Sequence, residues 1–375
     1  MKLYIHFGIY KTGSSYLQTL CALHREQLKE KGVYFPLSTE DHKMMRGVIS
    51  KGNAGNLEYL LFHQLREPLE QKLEAWREQA EEQKCDKVLI SAEALVHQLA
   101  MKKPLELLIS ASRSAGFIAI DAMGFFRDLV PHAISTYKHR AKSGKYADVH
   151  KWVKEAYETP VLLGRLYKRL QEQHSITFKL RRYKKNSRWM ETCFFSDWLN
   201  VDFVKETSQS QQVNTSLTLS EIACMQQLKE QYPQSAGIFL KAFQAIPASE
   251  KARDLPRENH LKALFYSALN KHERLLDNLS TFLNGAEKIH LYTGEITPIK
   301  SGQYHRLALS LSSNQLNAFL KAIRKSRSLR SKLLRIKRIA GRISLQIDKR
   351  FFRRNRPNAI ALEELYAKDT HSPIF

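Results

Sequence analysis

Ile5-His6-Phe7-Gly8-Ile9-Tyr10-Lys11-Thr12-Gly13-Ser14-Ser15-Tyr16-Leu17 is the stretch on which the reading of the fold turns. An apolar run from Leu3 reads as a strand. Two glycines then enclose a lysine and a threonine, two serines follow, and a helical pattern begins. Such a loop presents backbone N–H groups, the helix N-terminus adds partial positive charge, and a lysine and hydroxyls complete an anion cradle. A loop that holds a nucleoside triphosphate has lysine directly after its last glycine, then Ser or Thr for magnesium. Here Ser14 follows Gly13, and Lys11 lies inside the loop. The stretch therefore points to an anion site with no evident metal-holding position. The plainer reading is a strand–turn–helix with a capping serine.

Working outward, a helix is expected from Ser14 or Ser15 to about Lys29, stopped by Gly32, with a short strand at Val33-Tyr34-Phe35. The glycine-bearing segment 47–56 reads as mobile, and 57–83 as a helix interrupted at Pro68. Further strands are expected at Lys87–Ser91, Phe117–Phe126 and Ile176–Leu180, with helices at 104–114, 131–142 and 148–172, the last broken near Pro160. Strands alternating with helices predict an α/β fold with a mostly parallel sheet. After Ser196 the strand signals fade, and 218–232, 236–245, 258–284 and 313–325 read as helices.

The chain has 375 residues and a formal net charge of +23. Much of this is local: from Lys321 to Arg356 there are 15 Lys and Arg against Asp348 alone, leaving 45 basic and 36 acidic residues elsewhere. A moderately basic body suits an anionic cofactor or substrate, and the tail is a separate electrostatic feature. Cys21, Cys85, Cys193 and Cys224 form no CxxC pair, so neither a zinc site nor a disulfide framework is expected. The first residues already form the strand, so no secretory signal is expected, and no apolar run is long enough to span a bilayer.

A second anion anchor lies further on. In open parallel sheets ligands bind at the C-terminal ends of strands. The strand ending Gly124-Phe125-Phe126-Arg127 delivers Arg127 to that edge, and Ser135 follows eight residues later on the next helix. Arginine and serine together can grip one phosphate, the arginine through charge-assisted bonds. The plainer reading is an arginine paired with Asp128.

Lys11-Thr12-Gly13-Ser14-Ser15 resembles the loop of sulfotransferases that use 3′-phosphoadenosine-5′-phosphosulfate (PAPS), and Arg127 with Ser135 matches their 3′-phosphate pair. Tyr137-Lys138-His139-Arg140, Glu93, Arg182-Tyr183 and Val213–Leu217 are similar to the bacterial carbohydrate and polysaccharide members. The resemblance covers residues 1–245 and extends more loosely to 320. It implies a P-loop-type parallel sheet flanked by helices, with a mainly helical C-terminal part. It also implies transfer of a sulfuryl group from PAPS, without a metal, to a hydroxyl of a saccharide or glycolipid. Gly8 and Lys11 to Tyr16 would hold the 5′ end, with Lys11 stabilising charge on the bridging oxygen, and Arg127 and Ser135 the 3′-phosphate. For the base that takes the acceptor proton, His42 and Glu93 are both candidates. An ordinary histidine pKa, nearer neutral, favours His42. His6, inside the strand, reads as structural.

The expected organisation is a PAPS-binding core over 1–200, a helical continuation over 201–320 and a basic tail over 321–375. In that tail Leu329, Leu333, Ile336, Ala340, Ile343 and Ile347 make an apolar stripe among Lys and Arg. Such a stripe suits an anionic membrane surface. Nucleic acid would satisfy the charge equally, but Phe351-Phe352 among the arginines favours the membrane. The expected location is cytoplasmic, with peripheral attachment at the inner membrane face. The rival readings are a P-loop kinase or NTPase, and a non-catalytic relative that binds membrane or nucleic acid through its tail.

Overall fold

Strand β1 (Lys2–Gly8) forms the middle of the molecule's one sheet among the described residues. The computed structural model describes residues 1–48, 50–142, 149–202, 216–231, 236–281, 288–296 and 309–325. After β1 come α1 (Ser14–Leu23), α2 (Arg25–Glu30), β2 (Val33–Tyr34), α3 (Asp41–Met44), α4 (Leu57–Phe62), α5 (Arg66–Glu82) and β3 (Lys87–Ser91). The chain continues through α6 (Leu95–Leu99), α7 (Lys102–Ser114), β4 (Ala119–Phe126), α8 (Leu129–Ala141), α9 (Val149–Lys151), α10 (Thr159–Glu172), β5 (Thr177–Arg182) and α11 (Ser187–Glu191). The C-terminal part is helical: α12 (Leu219–Gln231), α13 (Ala236–Gln244), α14 (Leu255–Leu269), α15 (Glu273–Ser280) and α16 (Ser313–Lys325).

All five strands are parallel, in the order β2-β3-β1-β4-β5, and helices flank them, so the fold is α/β. The chain fills one side of β1 with β2 and β3, then crosses to the other side for β4 and β5. The ends of β1 and β4 therefore lie at the point where the strand order reverses, which is where open α/β sheets leave a crevice. On one face Tyr4, Leu89, Met123 and Phe125 pack with Leu17, Cys21 and Leu28 of the first helices and with Phe194, Phe195 and Trp198. Strand residues two apart share a face, so Leu3, Ile5 and Phe7, all fully buried, fill the other.

Several boundaries differ from expectation for local reasons. The first helix breaks at His24, where the backbone leaves helical geometry. The long helix 57–83 breaks at residues 63–65, with Gln64 in the left-handed region, and Pro68 sits inside the first turn of α5, where its missing N–H costs nothing. The segment 47–56 is tied down rather than loose. The Asn53 side chain donates to the Leu89 carbonyl at 3.1 Å and accepts from the Ser91 N–H at 2.7 Å, continuing the β3 edge where β2 stops. Gly52 has φ of 78°, and a Cβ there would lie 1.9 Å from the Ser91 carbonyl oxygen. Ser50 donates to Gln18, Gln18 donates to the Ser91 hydroxyl, and that hydroxyl is hydrogen-bonded to His6 Nδ1 at 2.8 Å.

The chain divides into two compact units. One holds the sheet and comprises Met1–Tyr137, Asp148–Val213 and Leu261–Thr297. The last of these segments departs from the expected boundary near residue 200. It joins the sheet because Phe265 packs against Tyr137 and Trp152, and because the Leu129 and Val130 N–H groups donate to the His290 and Leu291 carbonyls. The other unit comprises Lys138–Ala147, Asn214–His260 and Pro298–Phe375. In it Phe239 and Phe243 meet Phe319, and a buried Lys251–Glu221 ion pair at 3.1 Å is completed by Gln315. The basic stripe of 329–347, and 213–215 of the Val213–Leu217 motif, lie outside the described residues.

Replacing Asn53 by Ala should orphan two buried backbone groups at the β3 edge and cost about 2–4 kcal/mol. Urea denaturation of the variant against wild type measures this. A change within about 0.5 kcal/mol, the range of an ordinary surface substitution, would mean that the segment does not close the sheet edge.

Candidate functional site

The loop between β1 and α1 is held in a strained shape. Lys11 has φ of 69° and Gly13 of 88°, both left-handed. A Cβ on Gly13 would lie 2.4 Å from Met190 Cε and 3.4 Å from Tyr183 Cε2, so only glycine fits under those side chains. The Thr12 hydroxyl, buried, donates to the Ile9 carbonyl at 2.6 Å, so its proton closes the loop on itself. The Gly13 carbonyl accepts from Tyr16 N–H at 2.9 Å, and no side chain caps α1. The Ser14 hydroxyl is buried with no hydrogen-bond partner of good geometry. A buried polar atom left unpaired is uncommon and costly, and here it sits at the mouth of a helix N-terminus.

Arg127 leaves β4 and lies partly buried with its guanidinium over the Tyr183 ring, 5.6 Å from the centroid. It makes no hydrogen bond or ion pair among the described residues. Asp128, its sequence neighbour, is not its partner: that carboxylate receives Arg182 through both oxygens, at 3.0 and 2.5 Å, and also the His290 N–H at 3.0 Å. Burial lowers the Arg127 pKa, and Tyr183 and Asp128 oppose this. A guanidinium remains charged at neutral pH, so its unspent donors invite an anion.

Two groups stand near both this arginine and the loop. The first is Tyr183, which touches Gly13 on one side and carries Arg127 on the other. The second is His132, in the first turn of α8 and buried. Its Nε2 lies 2.6 Å from the Tyr10 carbonyl oxygen, which can only accept, so Nε2 carries the proton. Its Nδ1 is then the acceptor for the Tyr157 hydroxyl at 2.8 Å. Burial lowers the His132 pKa to about 4, helped by Arg127 and Lys11, so both cations lie within electrostatic reach of this neutral ring. Tyr157 follows a π-helical turn, Trp152–Ala156, which lets the chain leave the helix there. Neither His132 nor Tyr157 is among the sequence-predicted site residues. The one available signal was that His132 lies three residues before Ser135 on the same helix face.

The remaining candidates divide. Ser135 lies on α8, part-buried, with no hydrogen bond of its own among the described residues. Glu93 faces the loop: the Gly8 N–H approaches its carbonyl at 3.4 Å, and its carboxyl lies near the Lys11 N–H and the Ser14 hydroxyl. Burial raises its pKa, and Lys11 and Ser14 pull it partly back. Tyr16 points elsewhere, donating its hydroxyl to Glu191 at 2.5 Å. His42 is exposed on α3, with Nδ1 2.9 Å from the Thr39 carbonyl oxygen in its own turn, and no described contact joins it to the loop. His6 is fully buried between Phe125 and Phe194, and burial lowers its pKa to about 3. Among the described residues no group of three or more His, Cys, Asp or Glu is placed to hold a metal.

No family model, curated protein or solved structure matches the chain.

The buried imidazole sets a pH dependence. The folded pKa of His132, about 4, is below its ordinary 6.5, so its contribution is complete above about pH 6.5. As pH falls from 6.5 through 4 the unfolded chain binds a proton that the folded ring refuses, and about 3 kcal/mol is lost. Urea midpoints measured between these limits should fall in the wild type and fall less steeply in His132→Gln. Parallel curves would show that another group titrates.

Proposed function

We propose that the chain is a sulfotransferase that moves a sulfuryl group from PAPS to a hydroxyl of an acceptor, a saccharide or glycolipid. The observation that carries this reading is the meeting of two anion anchors. Lys11 and the loop follow β1, the unpaired Arg127 follows β4, and His132 and Tyr183 join them. An adenosine bearing a 5′-phosphosulfate and a 3′-phosphate presents two separated anions, which is what two separated anchors require. The unspent Arg127 guanidinium is a donor that such a ligand would satisfy.

PAPS, when bound, supplies the sulfuryl group and a 5′-phosphate as leaving group. The loop N–H groups of residues 11–15 and the Ser14 and Ser15 hydroxyls would hold its 5′ end, and Arg127 and Ser135 its 3′-phosphate. Thr12 would contribute its backbone N–H, because its hydroxyl is engaged by Ile9. Lys11 would stabilise charge that develops on the leaving oxygen, the kind of preorganised stabilisation on which transfer between oxyanions depends. Glu93 is the base we retain. Its carboxyl lies against the loop, and burial raises its pKa, which makes it the more basic as a carboxylate.

Calorimetry with adenosine 3′,5′-bisphosphate tests the reading. Wild type should bind, and Arg127→Ala should bind at least about tenfold more weakly, the loss expected for charge-assisted hydrogen bonds. Glu93→Gln should keep binding but lose transfer by about 10²–10⁴-fold. Failure of the wild type to bind, or magnesium-dependent ATP hydrolysis, would remove the sulfotransferase reading.

The location we propose is cytoplasmic, with attachment to an anionic membrane face through the basic segment 321–356. Among the described residues no helix is long and apolar enough to cross a membrane. Flotation with phosphatidylserine vesicles should carry the full chain and leave a chain cut before Lys321 behind. Equal flotation of the two would exclude this role.

A further inference from the structure

A hollow of about 290 Å³ lies among α4, α6 and α10, lined by Glu58, Phe62, His97, Gln98, Leu162 and Arg165 along with two neighbouring apolar positions. Three of its polar side chains keep unspent groups. Gln98 is 3% exposed, and its Oε1 is buried without a hydrogen-bond partner. Glu58 and Arg165 make no ion pair among the described residues, although the Glu58 charge is felt by His97. A roomier hollow, about 580 Å³ beside Ala22, Arg25, Glu26 and Lys29, differs in just this respect: Arg25 is paired with Asp41, and Lys29 with Glu26.

The smaller hollow adjoins the loop. The Tyr10 hydroxyl lies 3.4 Å from His97 Nε2, with ring centroids 6.0 Å apart, while the Tyr10 carbonyl is the group that His132 holds. Glu93, against the loop, stands two residues before α6, and α6 carries His97 and Gln98 into the wall. The hollow thus shares a wall residue, His97, with the Tyr10 side of the loop.

The wall also indicates what it would hold. A carboxylate and an amide oxygen accept, and a guanidinium donates. The lining charges of Glu58 and Arg165 are opposite in sign, and the Glu158 carboxylate also acts on His97, so an anion is not favoured. Hydroxyl groups both donate and accept, and so can satisfy all three at once. Phe62, 60% exposed at the rim, offers an aromatic face to the C–H side of a ring. The volume is at the lower end of ligand pockets, which start at roughly 300 Å³, and suits one ring rather than a nucleotide or an oligosaccharide.

We propose that this hollow is the acceptor subsite of the transfer reaction, and that it takes a single neutral polyhydroxylated ring. The acceptor role rests on the sulfotransferase reading; the ring-binding chemistry rests on the hollow alone. The test uses the full-length chain with methyl β-glucoside, methyl β-galactoside and N-acetylglucosamine as probes, followed by saturation-transfer NMR, and adenosine 3′,5′-bisphosphate followed by calorimetry. At least one sugar should bind the wild type. Glu58→Gln and Arg165→Ala, changes to side chains that no described ion pair uses, should each weaken that binding about tenfold. Both variants should keep the wild-type affinity for the nucleotide. Absence of binding by all three sugars, or variants that bind as the wild type does, would overturn the subsite. Sugar binding by a chain that does not bind the nucleotide would overturn its acceptor role.

Discussion

Strand β1 is paired on both edges, to β3 and to β4, and packed on both faces, so the point at which the chain leaves it is fixed by the whole sheet. Parallel sheets are stable in this arrangement because helices cover both faces. The loop that follows begins from a rigid base. It can therefore hold two left-handed residues, Lys11 and Gly13, conformations that cost about 1 kcal/mol or more each for residues other than glycine unless the surroundings enforce them. The enforcement is visible on three sides: Thr12 bonded back to Ile9, His132 bonded to Tyr10, and Met190 with Tyr183 beneath Gly13.

Charge at the strand ends is distributed unequally, and this makes the site. The Asp128 carboxylate is taken up by Arg182 and by the His290 N–H, so it acts on Arg127 through its field and not through a hydrogen bond. His132 stays neutral because burial and two nearby cations oppose its protonation. The result is a cluster in which Arg127 keeps a guanidinium with no hydrogen bond or ion pair among the described residues, while Lys11 acts on Glu93. Glu93 is an acidic group against the loop, and its raised pKa is the mirror image of the same desolvation.

Much of the fold was legible locally. The run Lys87–Ser91 was read to the residue, and β4 and β5 within a few positions, because continuous apolar runs bounded by polar residues mark buried parallel strands. The breaks were less legible. His24 and Gln64 leave the helix by local backbone geometry that composition does not announce, and Pro68, which looks like a breaker, is tolerated in a first turn. The segment 47–56 looked loose because glycines and small polar residues usually are; it is ordered by Asn53 and Gly52 meeting a strand edge 36 to 39 residues away in the chain.

At the site, the sequence by itself determined the loop's residue types and its place after a strand, since spacing of Gly, Lys and Ser and the apolar run before them are local properties. It also placed Arg127 at a strand end. Tertiary structure alone decided which neighbours those residues have. That Arg127 is free of Asp128, that His132 bonds the Tyr10 backbone, that Glu93 rather than His42 lies against the loop, and that Tyr183 stands between the two anchors are all contacts between segments far apart in sequence. They follow from strand order, which places the ends of β1, β3 and β4 side by side, and no local pattern of residues encodes strand order.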